Sequence, residues 1–158
     1  MDTKALVQSG FKPFIALAII VSTLWAFSPA YADPPINNAP GVTLKGYDAV
    51  AYFSEGRPVK GSQQYEYVWM GAKWHFSSAE NRDLFAKNPE KYAPQYGGYC
   101  AYGAALGVTT ISDPLAWKIV DGKLYLNVSH AVASWIWEKD IPGYIAKADK
   151  NWPALVDK

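Results

Sequence analysis

Aromatic residues alternate with other residues on both sides of Gly71-Ala72, and no other stretch constrains the fold as strongly. Tyr65, Tyr67 and Trp69 alternate with Glu66, Val68 and Met70; beyond the break, Trp74 and Phe76 alternate with Lys73, His75 and Ser77. A period of two sets these aromatic side chains on one face of a β-strand. Glycine at the first central position of a two-residue turn suits a type II′ hairpin, so the spacing predicts a hairpin turning at Gly71-Ala72. In that register Trp69 faces Trp74, Tyr67 faces Phe76, and His75 lies opposite Val68 on the other face. The four aromatics then form the core side of the hairpin.

Shorter signals surround it. A strand is predicted around Val50–Phe53, followed by a loop marked by Gly56, Pro58 and Gly61. Ser77 and Glu80 have capping-box spacing and open a helix through about Lys87, with Leu84 and Phe85 toward the core. Asn88-Pro89-Glu90-Lys91 restarts a helical turn, with proline where its missing N–H costs nothing. Gly97-Gly98 breaks the chain before a short helix, Tyr99–Leu106, ended by Gly107. Asp121-Gly122, between Ile119-Val120 and Leu124–Leu126, marks a second hairpin. Ser129 caps a helix that turns Val132, Trp135 and Ile136 inward, and a last helix lies between Pro142 and Lys150. No internal repeat and no low-complexity tract is evident. The expected fold is a small single α+β domain of antiparallel β-hairpins packed by several short helices.

The N-terminal 32 residues read as a cleavable signal peptide. Lys4 and Lys12 supply a weakly positive start, Phe14 to Phe27 is apolar apart from Ser22 and Thr23, and Ala30-Tyr31-Ala32 offers small residues where a signal peptidase reads. The apolar run falls short of the ~20 residues that cross a bilayer, so no stable membrane insertion is expected after cleavage. The mature protein is expected in the periplasm or secreted. Residues 33–43, rich in proline, asparagine and glycine, read as a flexible leader, and residues 44–156 as the folded domain. Removing Asp2, Lys4 and Lys12 from 14 acidic and 15 basic residues leaves 13 of each. A neutral domain has no general attraction for nucleic acid.

Cys100 is the sole cysteine. Exported proteins usually pair their cysteines, and a single one is either buried and inert or exposed for metal binding or thiol chemistry. The expected partner is a metal ion or a small molecule; the sequence names no protein partner. As a soft donor, Cys100 suits copper or another transition-metal ion. His75 and His130 are candidate co-ligands without clustered spacing, and Met70 is a weaker candidate. Asp48, ahead of an apolar run, is either a ligand-binding carboxylate or an Asx-turn residue. Tyr99 and Tyr102, with Tyr96, either line a small aromatic pocket or pack the core. No phosphate-binding glycine loop, nucleophile elbow or zinc-protease motif is present.

Several stretches together resemble the YHS-domain family: Gly46-Tyr47-Asp48-Ala49-Val50-Ala51-Tyr52-Phe53, Phe76-Ser77-Ser78-Ala79-Glu80-Asn81-Arg82-Asp83-Leu84-Phe85, Asn88-Pro89-Glu90-Lys91-Tyr92, Gly97-Gly98-Tyr99-Cys100-Ala101, Asp121-Gly122-Lys123-Leu124-Tyr125-Leu126-Asn127 and Asn151-Trp152-Pro153-Ala154-Leu155. The chain looks like the exported bacterial branch, whose cysteine falls in a Gly-Tyr-Cys-Ala segment. Small YHS modules of heavy-metal-transporting ATPases are associated with metal binding, but they carry cysteines before the first strand and in the Phe-x-Ser segment, where this chain has none. Residues and resemblance together are read as an exported YHS-type binding module holding a metal ion, copper favoured, or a small ligand near Cys100; Cys100 and His75 are the candidate metal ligands, and Asp48, Tyr99 and Tyr102 the candidate ligand-binding residues. The alternatives are a thiol-dependent redox enzyme using Cys100 and a structural or partner-binding protein.

Overall fold

The computed structural model describes residues 35–39 and 41–156; the predicted signal peptide lies outside them. Two antiparallel hairpins, each a two-stranded sheet, carry the architecture. The first pairs β1 (Ser62–Trp69) with β2 (Ala72–Phe76), and the second pairs β3 (Asp113–Val120) with β4 (Lys123–Asn127). Around them lie α1 (Ala51–Ser54), α2 (Ala79–Lys87), α3 (Pro89–Tyr92), α4 (Ala101–Ala105), α5 (His130–Trp135) and α6 (Ile141–Val156), with 3-10 turns at Thr43–Gly46, Gln95–Gly98 and Trp137–Lys139. The fold is α+β, as the residue pattern predicted. Among the described residues no helix is long and apolar enough to cross a membrane.

The first hairpin turns one residue earlier than predicted. Met70 and Gly71 occupy the turn with φ of 49° and 72°, a type I′ geometry that matches the strand twist. The register therefore moves by two: Trp69 pairs with Ala72, Tyr67 with Trp74 and Glu66 with His75. A shift of two leaves every side chain on its face, so Tyr67, Trp69, Trp74 and Phe76 still share the core side. All four rings meet Phe85 of α2, at centroid distances of 6.3, 5.8, 4.8 and 5.1 Å respectively.

Four further expectations need correction. The predicted strand at Val50–Phe53 is the helix α1, because the Asp48 carboxylate accepts from the amides of Val50 and Ala51 and satisfies the otherwise orphaned donors of a first turn. Ser78, not Ser77, caps α2, accepting from the Asn81 amide at 3.1 Å. Trp135 is 72% exposed and Ile136 is also exposed. The chain tightens after α5 into a 3-10 turn, and the change of phase carries Trp137 into the core instead. Finally α6 runs six residues past Lys150, through Pro153, held by Asn151 Nδ2 donating to the carbonyls of Ala104 and Ala105, each at 3.1 Å.

Part of the predicted leader is docked. Ile36 and Asn37 are buried, and the Asn37 amide donates to the Gly97 carbonyl at 2.8 Å. A Cβ on Gly97 would overlap the Pro35 carbonyl oxygen, so this close approach requires glycine.

The fold also repeats, although the sequence carries only a short trace of it, Gly-Tyr-x-Ala at 46–49 and again at 98–101. Strands β3 and β4 begin 51 residues after β1 and β2, as do the turn Asp121-Gly122 after Met70-Gly71 and the helix cap Ser129 after Ser78. Both hairpins shift register at the same point, between Ser62 and Glu66 and between Asp113 and Trp117. Identities are few, so the periodicity is carried by geometry. The two halves share a core: Leu124 and Leu126 of β4 join the cluster built on Trp74, Phe76 and Phe85, while Tyr125 on the opposite face packs with Tyr96, Trp137 and Ala148.

Candidate functional site

Asp48 follows the 3-10 turn at Thr43–Gly46 and is fully buried, at 0% exposure. Its Oδ1 accepts from the amides of Val50 at 2.8 Å and Ala51 at 3.3 Å. Its Oδ2 accepts from the Ser77 amide at 2.8 Å, the Ser77 hydroxyl at 2.7 Å and Asn81 Nδ2 at 2.7 Å. A buried carboxylate is tolerated when hydrogen bonds replace its lost hydration. Asp48 thus forms an Asx turn and also ties the start of α1 to the start of α2. Both oxygens are engaged within the protein.

Cys100 begins α4 and is 1% exposed. Its Sγ accepts from the Gly103 amide at 3.4 Å and lies 3.7 Å from Asn127 Oδ1, which also accepts from the Tyr102 amide at 3.3 Å. Asn127 Nδ2 and Trp137 Nε1 are buried with no hydrogen-bond partner among the described residues. Tyr99 is buried and its ring meets Trp152 at 5.9 Å. Tyr102 is half-buried with its ring edge-on to Tyr144 at 5.1 Å. These contacts suit the packed reading of the two tyrosines.

His75 belongs to the other half of the fold. It sits on the outer face of β2, opposite Glu66, with Nε2 3.1 Å from Glu66 Oε2, and Lys73 Nζ lies 3.7 Å from the same oxygen. Such half-solvated pairs contribute little stability. His130 is exposed at the start of α5 and Met70 is exposed in the first turn. Among the described residues no three His, Cys, Asp or Glu side chains are close enough together to hold a metal ion. Among the described residues, Cys100 Sγ and Asn127 Oδ1 are the side-chain donors that meet here, short of the three or four that transition-metal sites use. The residues around Cys100 do not fit a metal centre.

What the structure does offer is an open groove of about 260 Å³ where the two halves meet the docked leader and α6. Three of its lining residues are aromatic: Trp69 at the end of β1, the buried Tyr96 in the 3-10 turn before Cys100, and Trp152 of α6. Tyr96 packs on Trp152 at 5.7 Å and its hydroxyl donates to Asp149 Oδ1 at 2.9 Å. Pro35, Ile36, Met70, Ala93 and Pro94 add apolar lining, and Glu90 is the charged residue in it. No Lys, Arg or His is among the lining residues. The sequence pattern does not single out Trp69, Glu90 and Trp152 as site residues, because they stand on three separate elements and share no local signal.

The YHS domain family model matches residues 50–96, which run from α1 into the 3-10 turn at the groove wall. No curated protein and no solved structure matches the chain.

Proposed function

We propose that this chain, which carries a YHS domain at residues 50–96, is an exported binding module that takes a small organic cation into the groove between its halves. The observation that carries the reading is the lining: two partly exposed tryptophans, Trp69 and Trp152, backed by the buried Tyr96, with one glutamate and no basic side chain. Ring faces attract cations by about 0.5–2 kcal/mol each, more as water is excluded. Glu90 adds a Coulombic attraction, while an anion would meet no compensating charge. At about 260 Å³ the groove lies just below the ~300–1,000 Å³ of sites for drug-sized ligands. It suits an alkylammonium group or the cationic end of a longer molecule, bound in the high-micromolar to millimolar range that a few kcal/mol supports.

Tetramethylammonium chloride is the probe, titrated against intrinsic tryptophan fluorescence with sodium chloride as the ionic-strength control. A saturable change beyond the control, lost in Trp152→Ala and weakened several-fold in Glu90→Gln, is the expected result. A response no different from sodium chloride would overturn the reading. Export rests on the Lys4-Lys12 start, the apolar Phe14–Phe27 run and Ala30-Tyr31-Ala32. N-terminal sequencing of the mature protein, expected to begin at Asp33, tests it.

A second reading places a copper or other transition-metal ion at Cys100. Its support is the soft thiol and the general association of YHS domains with metal binding; the donor set around Cys100 stands against it. Elemental analysis of the purified protein beside Cys100→Ser decides: stoichiometric metal lost in the variant would replace the groove reading with this one. A thiol enzyme using Cys100 would need a reagent to reach a side chain 1% exposed, and slow alkylation in the folded state would exclude it.

A further inference from the structure

The repetition of the hairpins extends upstream to Asp48 and Cys100. Ahead of Asp48, Leu44 and Lys45 adopt left-handed backbone and Gly46 follows with φ of 80°; ahead of Cys100, Tyr96 and Gly97 do the same and Gly98 follows with φ of 82°. Left-handed conformation costs a non-glycine L-residue about 1–2 kcal/mol, so two consecutive left-handed residues before a positive-φ glycine form a distinctive signature. After it, the Tyr47 amide donates to Leu44 and the Tyr99 amide to Tyr96, each at 2.9 Å. The Asp48 amide then donates to the Val59 carbonyl and the Cys100 amide to the Thr110 carbonyl, again at 2.9 Å each. Tyr47 bridges to Lys60 and Tyr99 to Ile111, both antiparallel. At the next step the side chains correspond as well: Asp48 Oδ1 accepts from the amide three residues on, Ala51, and Cys100 Sγ from the amide three residues on, Gly103.

We infer that residues 95–139 are a second unit with the fold of residues 43–87, only its first residues reached by the family match, and that Cys100 holds in it the position Asp48 holds in the first. The exchange of carboxylate for thiol has a physical reason in the residues at the corresponding positions. In the first unit Ser77 and Asn81 supply side-chain donors to Asp48. The residues 51 positions later are Val128 and Val132, which supply none. A carboxylate buried there would lose its hydration with no donor from those two positions to replace it, and the neighbouring Asn127 amide turns its oxygen, not its NH2, toward Cys100 and Tyr102. A thiol, which behaves as a small hydrophobe and a weak acceptor, keeps the contact with the helix-start amide. Cys100 is therefore a positioning residue for α4. Asn127, which follows Phe76 by 51 residues, brings in the amide oxygen that receives Tyr102.

The test transplants the residues that serve Asp48 to the corresponding positions of the second unit. Cys100→Asp alone is expected to lower the urea midpoint steeply. Combined with Val128→Ser and Val132→Asn, which restore the two donors, it is expected to recover at least half of that loss, although Val128→Ser/Val132→Asn without the carboxylate gains nothing. If Cys100→Asp does not fold at all, folding of the triple variant is the expected result and supports the correspondence equally. A single variant as stable as the parent, a triple variant no better than the single, or failure of both to fold would each overturn the correspondence. As an independent readout, Cys100→Ser is expected to keep the Gly103 amide protected from hydrogen exchange and Cys100→Ala to lose that protection. Equal protection in both would also count against it.

Discussion

Asp48 holds five donors from two segments nearly thirty residues apart, and its replacement isolates what that arrangement contributes. Asp48→Ala leaves the Ser77 and Asn81 donors and the α1 amides without an acceptor. An expected loss of roughly 2–5 kcal/mol in urea unfolding follows from leaving buried polar groups unpaired. A loss below about 1 kcal/mol would mean that water replaces the carboxylate. The local half of this role, the Asx turn, was legible from an aspartate ahead of an apolar run. The distant half was not, since nothing in Ser77 or Asn81 alone says which carboxylate they serve. The tyrosines make a pH-dependent prediction. Burial pushes the Tyr52 phenol well above its usual 10.0, with Tyr47 and two carboxylates adding to it. Burial likewise raises Tyr96, helped by the hydrogen bond to Asp149. The folded protein then keeps protons that the unfolded chain releases, so stability is intact below about pH 10 and falls above it, by up to about 1.4 kcal/mol per pH unit for each group. Urea midpoints measured at pH 8 and 11 should show the decline, and Tyr52→Phe should make it shallower.

Turns and helix ends separate what sequence patterning decides from what tertiary contact decides. Alternation fixed the aromatic face of the first hairpin, because a register shift of two returns each side chain to the same side. It could not fix the cross-strand partners, and the actual pairing brings His75 to Glu66. The type I′ turn puts Met70 at φ of 49°, a conformation asparagine tolerates better. Met70→Asn is expected to raise stability by about 0.5–1 kcal/mol, read as a higher melting temperature. Helix α6 continues through Pro153 because Asn151 and Trp152 anchor it to α4 and Tyr96, contacts that no local propensity contains. Docking of the leader rests on Gly97. Gly97→Ala would set a methyl group against the Pro35 carbonyl, and residues 35–39 should become sensitive to proteolysis while α2 and the first hairpin keep their amide protection.

For the molecule as a whole, the two units are structurally parallel without being independent. Leu124 and Leu126 of the second hairpin lie in the aromatic core of the first half, so neither half can bury its apolar surface alone. Unfolding should be a single transition, with far-UV circular dichroism and tryptophan fluorescence coincident in urea; separated curves would show that the shared core does not couple the halves. Fold class and both hairpins were legible because patterning and turn residues act locally. The repeat and the groove were not, since one is a shared backbone geometry under mostly changed side chains, with Gly-Tyr-x-Ala at 46–49 and 98–101 too short to reveal it, and the other is assembled from distant elements. The groove also brings together Pro35 and Ile36 from one end of the described chain and Trp152 from the other. A short linker could therefore close the described segment into a ring, and opening that ring at Asp121-Gly122 would yield a circular permutant whose former ends are joined beside the groove.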